Sequence, residues 1–181
     1  MNPIEIIDKY YAPHPEAKRF LLQHARMVAK KALEVAEKVK HLEPDTKFIE
    51  EAAMLHDIGI FLTNAPDIGC RGDKPYICHG YLGREILESE GLPRHAIVCE
   101  THVGVGLTVQ DKRKNNFPLP LRDMTPKTIE EKIIGYADKF FSKSREPLKE
   151  KPLEFVRSQI AGFGPDKLAV FEEWVKLFLS P

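Results

Sequence analysis

A histidine and an aspartate stand side by side at the end of an otherwise largely apolar segment, EEAAMLHDIGIF, residues 50–61. An unpaired charge in a dry interior costs several kcal/mol, so a chain that carries His56 and Asp57 into its core must bring them a partner. That requirement restricts the folds open to this sequence. Other elements have to deliver complementary groups to the same point.

The rest of the chain reads as helices that do so. Pro13 and Pro15 flank the start of a long pattern in which Phe20, His24, Met27, Val28, Val35 and Val39 recur at helical spacing, with His24 on the apolar face. After HLEPD, with Asp45 or Thr46 as N-cap, a second helix carries Phe48, Ile49, Ala52, Ala53 and His56 along one stripe, and Gly59 is read as its terminator. A Pro-, Gly- and Asp-rich loop follows from about Leu62 to Pro75. HGYLGREILESEGLP then reads as a short helix opened near His79 and stopped at Gly91. Pro93 suits the first turn of the next helix, whose Ile97, Val98, Thr101 and His102 are assigned to one face.

Residues 104–124 read as irregular, with DKRKNN taken as an exposed loop long enough to act as a lid. Thr125 and Pro126 are read as the N-cap and first turn of a helix that places Ile134, Asp138 and Phe141 on one side. Amphipathic segments at Leu153 to Ile160 and Asp166 to Leu179 close the chain. There is no strict alternation and no internal repeat, so the fold class predicted is an all-α, single-domain helical bundle over residues 1–181.

Composition narrows the function. With 43% hydrophobic and 30% charged residues the chain can bury a real core, and 27 basic residues balance 27 acidic ones. A net charge of zero predicts neither a nucleic-acid nor a membrane partner, and any anionic ligand must be held by local charge. MNPIEIIDKYY lacks the basic start and apolar core of a signal peptide, and no apolar run approaches the roughly 18 residues of a membrane span, so the expected location is cytoplasmic. Cys70, Cys78 and Cys99 form no CxxC pair, which argues against a disulfide framework and a zinc ribbon. Cys99 and His102 share a helix face and leave a zinc reading open, although a structural site prefers four closed ligands.

Taken singly, each inward histidine has an ordinary reading as a core side chain bonded to a backbone carbonyl. Together, His24, His56, His79 and His102 with Asp57 and Asp138 are hard to satisfy in pairs and easily satisfied by cations. Asp57, with two oxygens, is able to bridge two of them. His14, His41 and His95 sit at predicted helix starts, ends or polar faces and receive no role.

In that order, with HDIG at residues 56–59 and YADKF around Asp138, the set resembles the HD-domain superfamily of metal-dependent phosphohydrolases. The match runs from about His24 to Ser144, with an HD-type core of about 20–145 and C-terminal helices of about 150–180. The resemblance implies that His24, His56, Asp57 and Asp138 hold a first divalent metal (Fe, Mn, Co, Mg, Ni or Zn). It implies that His79 and His102 hold a second, bridged by Asp57. Some cyclic-dinucleotide phosphodiesterases of the binuclear branch carry two adjacent histidines late in the motif, whereas Val103 follows His102 here. The His79-Gly80 pair is similar to one in small bacterial hydrolases of dinucleoside polyphosphates.

Two metals about 3.5–4 Å apart activate water for in-line attack at phosphorus, so the expected substrate is a small phosphorylated compound, possibly a nucleotide. Asp57 is the central catalytic group in this reading. Lys139 and Arg84 are catalytic candidates for neutralising phosphate, with Arg71 and Lys74 as further cations. No P-loop or Ser-His-Asp signature competes. Two other readings stand beside the hydrolase. One is an HD-type diiron oxygenase, with Tyr10 and Tyr11 available to gate it. The other is a non-catalytic metal or nucleotide-binding regulator. The last helices are available for a homodimer.

Overall fold

The computed structural model describes residues 1–143 and 149–179, so the end of the family resemblance at Ser144 and the chain's last two positions lie outside the described residues. Among them the chain folds as helices α1 (Pro3–Tyr11), α2 (Pro15–Lys38), α3 (Thr46–Leu55), α4 (His79–Ser89), α5 (Pro93–Thr101), α6 (Val109–Lys114), α7 (Ile129–Asp138), α8 (Leu153–Ala161) and α9 (Pro165–Leu179). The all-α fold predicted from periodicity is the one observed. The loop between α3 and α4 holds a minimal antiparallel pair, β1 (Asn64–Ala65) against β2 (Cys70–Arg71), with Asn64 opposite Arg71 and Ala65 opposite Cys70. None of the helices is long and apolar enough to cross a membrane, among the described residues.

The apolar side chains sort into two principal clusters. One joins Val28, Ala32 and Val35 of α2 to Phe48 and Ala52 of α3, Ile133 and Ile134 of α7, and Phe171 and Trp174 of α9. The other joins Phe20 and Leu21 of α2 to Ile7 and Tyr11 of α1, to Leu55, Ile58 and Ile60 at and beyond the end of α3, and to Leu87 and Cys99. His24 falls on α2 between the residues of the two clusters, and along the α3 segment the change from one to the other comes between Ala53 and Leu55, just before His56-Asp57. Tyr136 stacks on Phe171 with ring centroids 5.6 Å apart and meets the edge of Phe178, which docks α9 on α7 just before Asp138.

Several local readings are corrected. Asp45 caps α3, accepting from the Phe48 amide at 2.9 Å, but the cap of α7 is Thr128, three residues beyond the expected Thr125. The Thr125 hydroxyl is held instead by Asp123. DKRKNN is exposed from Arg113 to Asn116 as expected, but it is helical through Lys114 rather than a loop. Thr108 and Asp111 form a reciprocal capping box that starts α6, and the buried Lys112 donates to the carbonyls of Pro120, at 2.9 Å, and Arg122. The N-terminal segment forms α1, capped by Asn2. Ile97 is 37% exposed and leaves the face assigned to it, while His95 is buried beside Glu51.

Gly59 is required for a reason other than the one read from sequence. Its φ is −82°, open to any residue, but a Cβ there would lie 2.3 Å from the His79 carbonyl oxygen and 2.5 Å from the Gly83 nitrogen. The backbone after His56-Asp57 therefore lies directly on the first turn of α4. Gly80 repeats the device, since its Cβ would meet the Cys99 carbonyl at 2.8 Å and press α4 away from α5. We expect Gly59→Ala to lower stability in urea unfolding by about 1–3 kcal/mol, the usual cost of overpacking. An unchanged midpoint would contradict this packing role.

Candidate metal centre

The six acidic and imidazole side chains singled out in the sequence converge at the junction of α2, α3, α4, α5 and α7. Most stand at helix ends. His56 is the C-cap of α3, His79 opens α4, His102 is the C-cap of α5 and Asp138 ends α7, while His24 comes from the middle of α2.

They form two groups that share Asp57. In the first, His24 Nε2 lies 2.9 Å from Asp138 Oδ1, 3.2 Å from Asp57 Oδ2 and 3.3 Å from His56 Nε2. His56 Nε2 is 2.9 Å from Asp57 Oδ2. In the second, His79 Nε2 and His102 Nε2 stand 3.1 Å apart, and lie 3.4 and 3.5 Å from Asp57 Oδ1. Each oxygen of Asp57 thus faces a different group.

One local rule orients three of the four imidazoles. His56 Nδ1 donates to the Ala53 carbonyl at 2.6 Å, His79 Nδ1 to the Tyr76 carbonyl at 2.6 Å, and His102 Nδ1 to the Cys99 carbonyl at 2.7 Å. Each acceptor is the carbonyl three residues back, a group that helix or turn ends leave available. Because a carbonyl only accepts, Nδ1 carries the proton in these rings and a neutral ring turns its Nε2 lone pair toward Asp57. This is the arrangement by which proteins hold histidine for a metal.

The electrostatics agree with that disposition. Burial works against ionising Asp57, yet His56 foremost, with Lys143, His102 and His24, holds its carboxyl well below the usual range. Asp138 is likewise anionic: burial opposes its charge, and Lys139, His24 and His56 outweigh it. Burial keeps His102 neutral and drives His79 down to about 3, with His102 and Lys143 adding to the effect on His79 against the pull of Asp57. His56 goes the other way, raised to about 9 by Asp57 and Asp138 despite its burial.

This donor set fits divalent metal. Asp57 is fully buried, with the Lys143 ammonium beside Oδ2 but imidazoles rather than hydrogen bonds of proper geometry around both oxygens, so further positive charge is readily accommodated there. Neutral His79 and His102 turn lone pairs on one another at 3.1 Å, a repulsion that a cation between them removes. Imidazole nitrogen with carboxylate oxygen suits first-row divalent ions.

The remaining candidates separate. Lys139 belongs to the site: its ammonium donates to the His102 carbonyl at 2.9 Å and pairs with Asp138 Oδ2 at 2.8 Å. Arg84 does not join it. Its guanidinium is taken by Glu88 at 2.7 Å and by the buried Glu100 at 2.6 Å, because Glu100, also held by Arg122, needs cations around it. Arg71 is exposed on β2, and Lys74 pairs with Asp73; neither lines the pocket over the centre. Tyr11 donates to the Ile58 carbonyl at 2.8 Å and braces the turn after Asp57, while Tyr10 bonds Glu90, so neither gates the site. The Cys99 thiol points to the Leu55 carbonyl rather than toward His102 Nε2.

Lys143 was missed. Its ammonium lies 2.5 Å from Asp57 Oδ2, and Asp57, with Tyr76 and Asp138, raises its pKa despite burial. It follows α7 outside any helix, so no periodicity marked it. With Tyr76, Ile77, Val103 and Lys139 it lines a pocket of about 590 Å³ above the His79 and His102 rings.

Residues 21–142 match the HD domain family. Two relatives named tRNA (cytidine(56)-2'-O)-methyltransferase, from Picrophilus torridus and Thermoplasma volcanium, are 32% and 30% identical over 126 and 127 residues, covering 69% and 70% of this chain. An uncharacterized protein of Methanocaldococcus jannaschii is 32% identical over 121 residues, covering 65% of this chain. The chain spans only 32% and 33% of the two methyltransferases and 64% of the Methanocaldococcus protein. Among solved structures, the HD domain of the Listeria monocytogenes phosphodiesterase PgpH has a similar fold. Its crystal structure covers 96% of this chain and 95% of its own, with a TM-score of 0.56 and 18% identity. Its complex with cyclic-di-AMP gives coverage of 97% and 94%, a TM-score of 0.57 and 18% identity.

If the convergence at Asp57 is held by cations, Mn²⁺ should raise the melting temperature of metal-stripped protein by mass action. Asp57→Asn should remove most of that rise. An equal rise in both proteins, read by differential scanning fluorimetry, would contradict the assignment.

Proposed function

The chain belongs to the HD-domain family, and on that premise we propose that it is a metal-dependent phosphohydrolase, one HD-type domain cleaving a phosphoester or phosphoanhydride of a nucleotide or other small metabolite. The observation that carries this reading is the buried Asp57, with one oxygen toward each of the two histidine groups. His24, His56, Asp57 and Asp138 would hold one divalent ion, and Asp57, His79 and His102 a second. When bound, such ions supply an activated water and Lewis-acid neutralisation of charge in phosphoryl transfer.

The chain's own groups do the rest. The Nδ1 bonds to Ala53, Tyr76 and Cys99 keep three rings in the orientation and tautomer that metal holding requires. Lys139 ties Asp138 to the His102 carbonyl and so fixes the last carboxylate against the second histidine group. Lys139 and Lys143 present ammonium groups at the pocket, where they would complement the charge of a phosphoryl group. A nucleotide ligand is favoured by the similar fold of the PgpH HD domain, whose structure is also known in complex with cyclic-di-AMP. A pocket of about 590 Å³ has room for a nucleotide-sized substrate.

Elemental analysis of protein purified without chelator should give about two metal ions per chain, His79→Ala about one and Asp57→Ala almost none. Phosphate release from a panel of phosphoesters should require Mn²⁺, Fe²⁺, Co²⁺ or Mg²⁺, fall to background in Asp57→Ala, and proceed without oxygen. Lys139→Met, which removes an outer partner of Asp138, should cost about 10–100-fold in metal affinity or activity. Full turnover after exhaustive chelation would overturn the proposal.

A further inference from the structure

The pocket over the metal centre does not end at Lys139. Gly104, Asp138, Lys139 and Phe141 also border a second cavity, of about 440 Å³, which extends toward α8. Val156 and Ile160 floor this groove, Phe163 stands at its far end, and Lys151 and Gln159 supply its polar wall.

The three lysines gathered here are not equivalent. Lys139 is paired with Asp138 and Lys143 with Asp57. Lys151 forms no ion pair among the described residues; its ammonium donates to the Lys139 carbonyl at 3.3 Å and to Gln159 Oε1 at 3.2 Å. A half-buried ammonium near the Lys139 and Lys143 charges, bonded to neutral oxygens and without a paired carboxylate among the described residues, leaves an excess of positive charge along the groove. Partial burial, with the charges of Lys139 and Lys143 and against the pull of Asp138, accordingly lowers the Lys151 pKa. Divalent ions at the centre would add to the excess. Because the two cavities share Gly104, Asp138, Lys139 and Phe141, an anionic group linked to one at the metal centre has a continuous path toward Lys151.

We infer that Lys151 and Gln159 form a second anion subsite, continuous with the metal-centre pocket, that takes the next phosphate of a substrate carrying two or more linked phosphates. This rests on the phosphohydrolase reading of the centre and adds a substrate class to it. Lys151 is a specificity residue in this scheme, since it meets the phosphate that is not attacked. Gln159 positions its ammonium.

The test is equilibrium binding by calorimetry of inorganic phosphate and of non-hydrolysable methylenediphosphonate, in excess Mg²⁺, with metal content checked afterwards. Wild-type protein should bind the diphosphonate at least about tenfold more tightly, the worth of one charge-assisted contact. Lys151→Met should abolish that preference and leave phosphate affinity unchanged, and Lys151→Arg should keep it. If the Met variant fails to fold, Lys151→Gln takes its place. A wild-type protein without the preference, or a Lys151→Met or Lys151→Gln variant that retains it, would overturn the subsite. Turnover of 4-nitrophenyl phosphate, followed in parallel, separates the two readings. No turnover with an intact diphosphonate preference faults the hydrolase and leaves the subsite standing; turnover without the preference does the reverse.

Discussion

The structure is organised around a buried carboxylate, Asp57, met by the Lys143 ammonium on one oxygen and by imidazoles on both. Asp57 is fully buried and accepts no well-formed hydrogen bond, while four imidazoles crowd its two oxygens. An interior arranged in this way is unfavourable unless positive charge is supplied, and the chain has invested helix ends to create it. Three carbonyls at or near those ends each bind the imidazole three residues onward. Backbone carbonyls at these helix and turn ends thereby fix the direction of the Nε2 lone pairs.

Close backbone approach is the second condition. His79 reaches Asp57 because α4 lies on the turn after His56-Asp57 and against α5, with no side chain at Gly59 or Gly80 to hold the segments apart. Tyr11 braces the same turn from α1. Glu100 ties α4 and the residue 122 loop to α5 through Arg84 and Arg122. The positions of the clustered imidazole and carboxylate side chains are therefore set as much by glycines and by an N-terminal tyrosine as by the histidines themselves.

The helical periodicity and the inward histidines were legible because they belong to long amphipathic segments, where burial repeats every three or four residues. Their convergence followed from the cost of burying six such groups separately. What sequence did not disclose lies outside periodic structure. Lys143 follows the end of α7, and its place at Asp57 depends on chain direction rather than spacing. Arg84 looked available because its partner Glu100 stands sixteen residues away on another helix. α6 was hidden by its charge, since a six-residue helix with one buried lysine has no apolar stripe, and only its capping box marks it. Thr125 and Thr128 are chemically equal caps, and the choice between them was made by Asp123, which engages the first.

The centre lies close to where the two apolar clusters meet, with His24 at the crossing on α2 and the His56-Asp57 pair just past the crossing on the α3 segment. Folding cooperativity is consequently tied to ligation. Each cluster has its own set of side chains, with α2 and the α3 segment as shared struts, and an ion at the seam binds groups contributed from both sides. Such an ion acts as a rivet between two packing units, and its free energy of binding enters the coupling between them as well as the stability of either one.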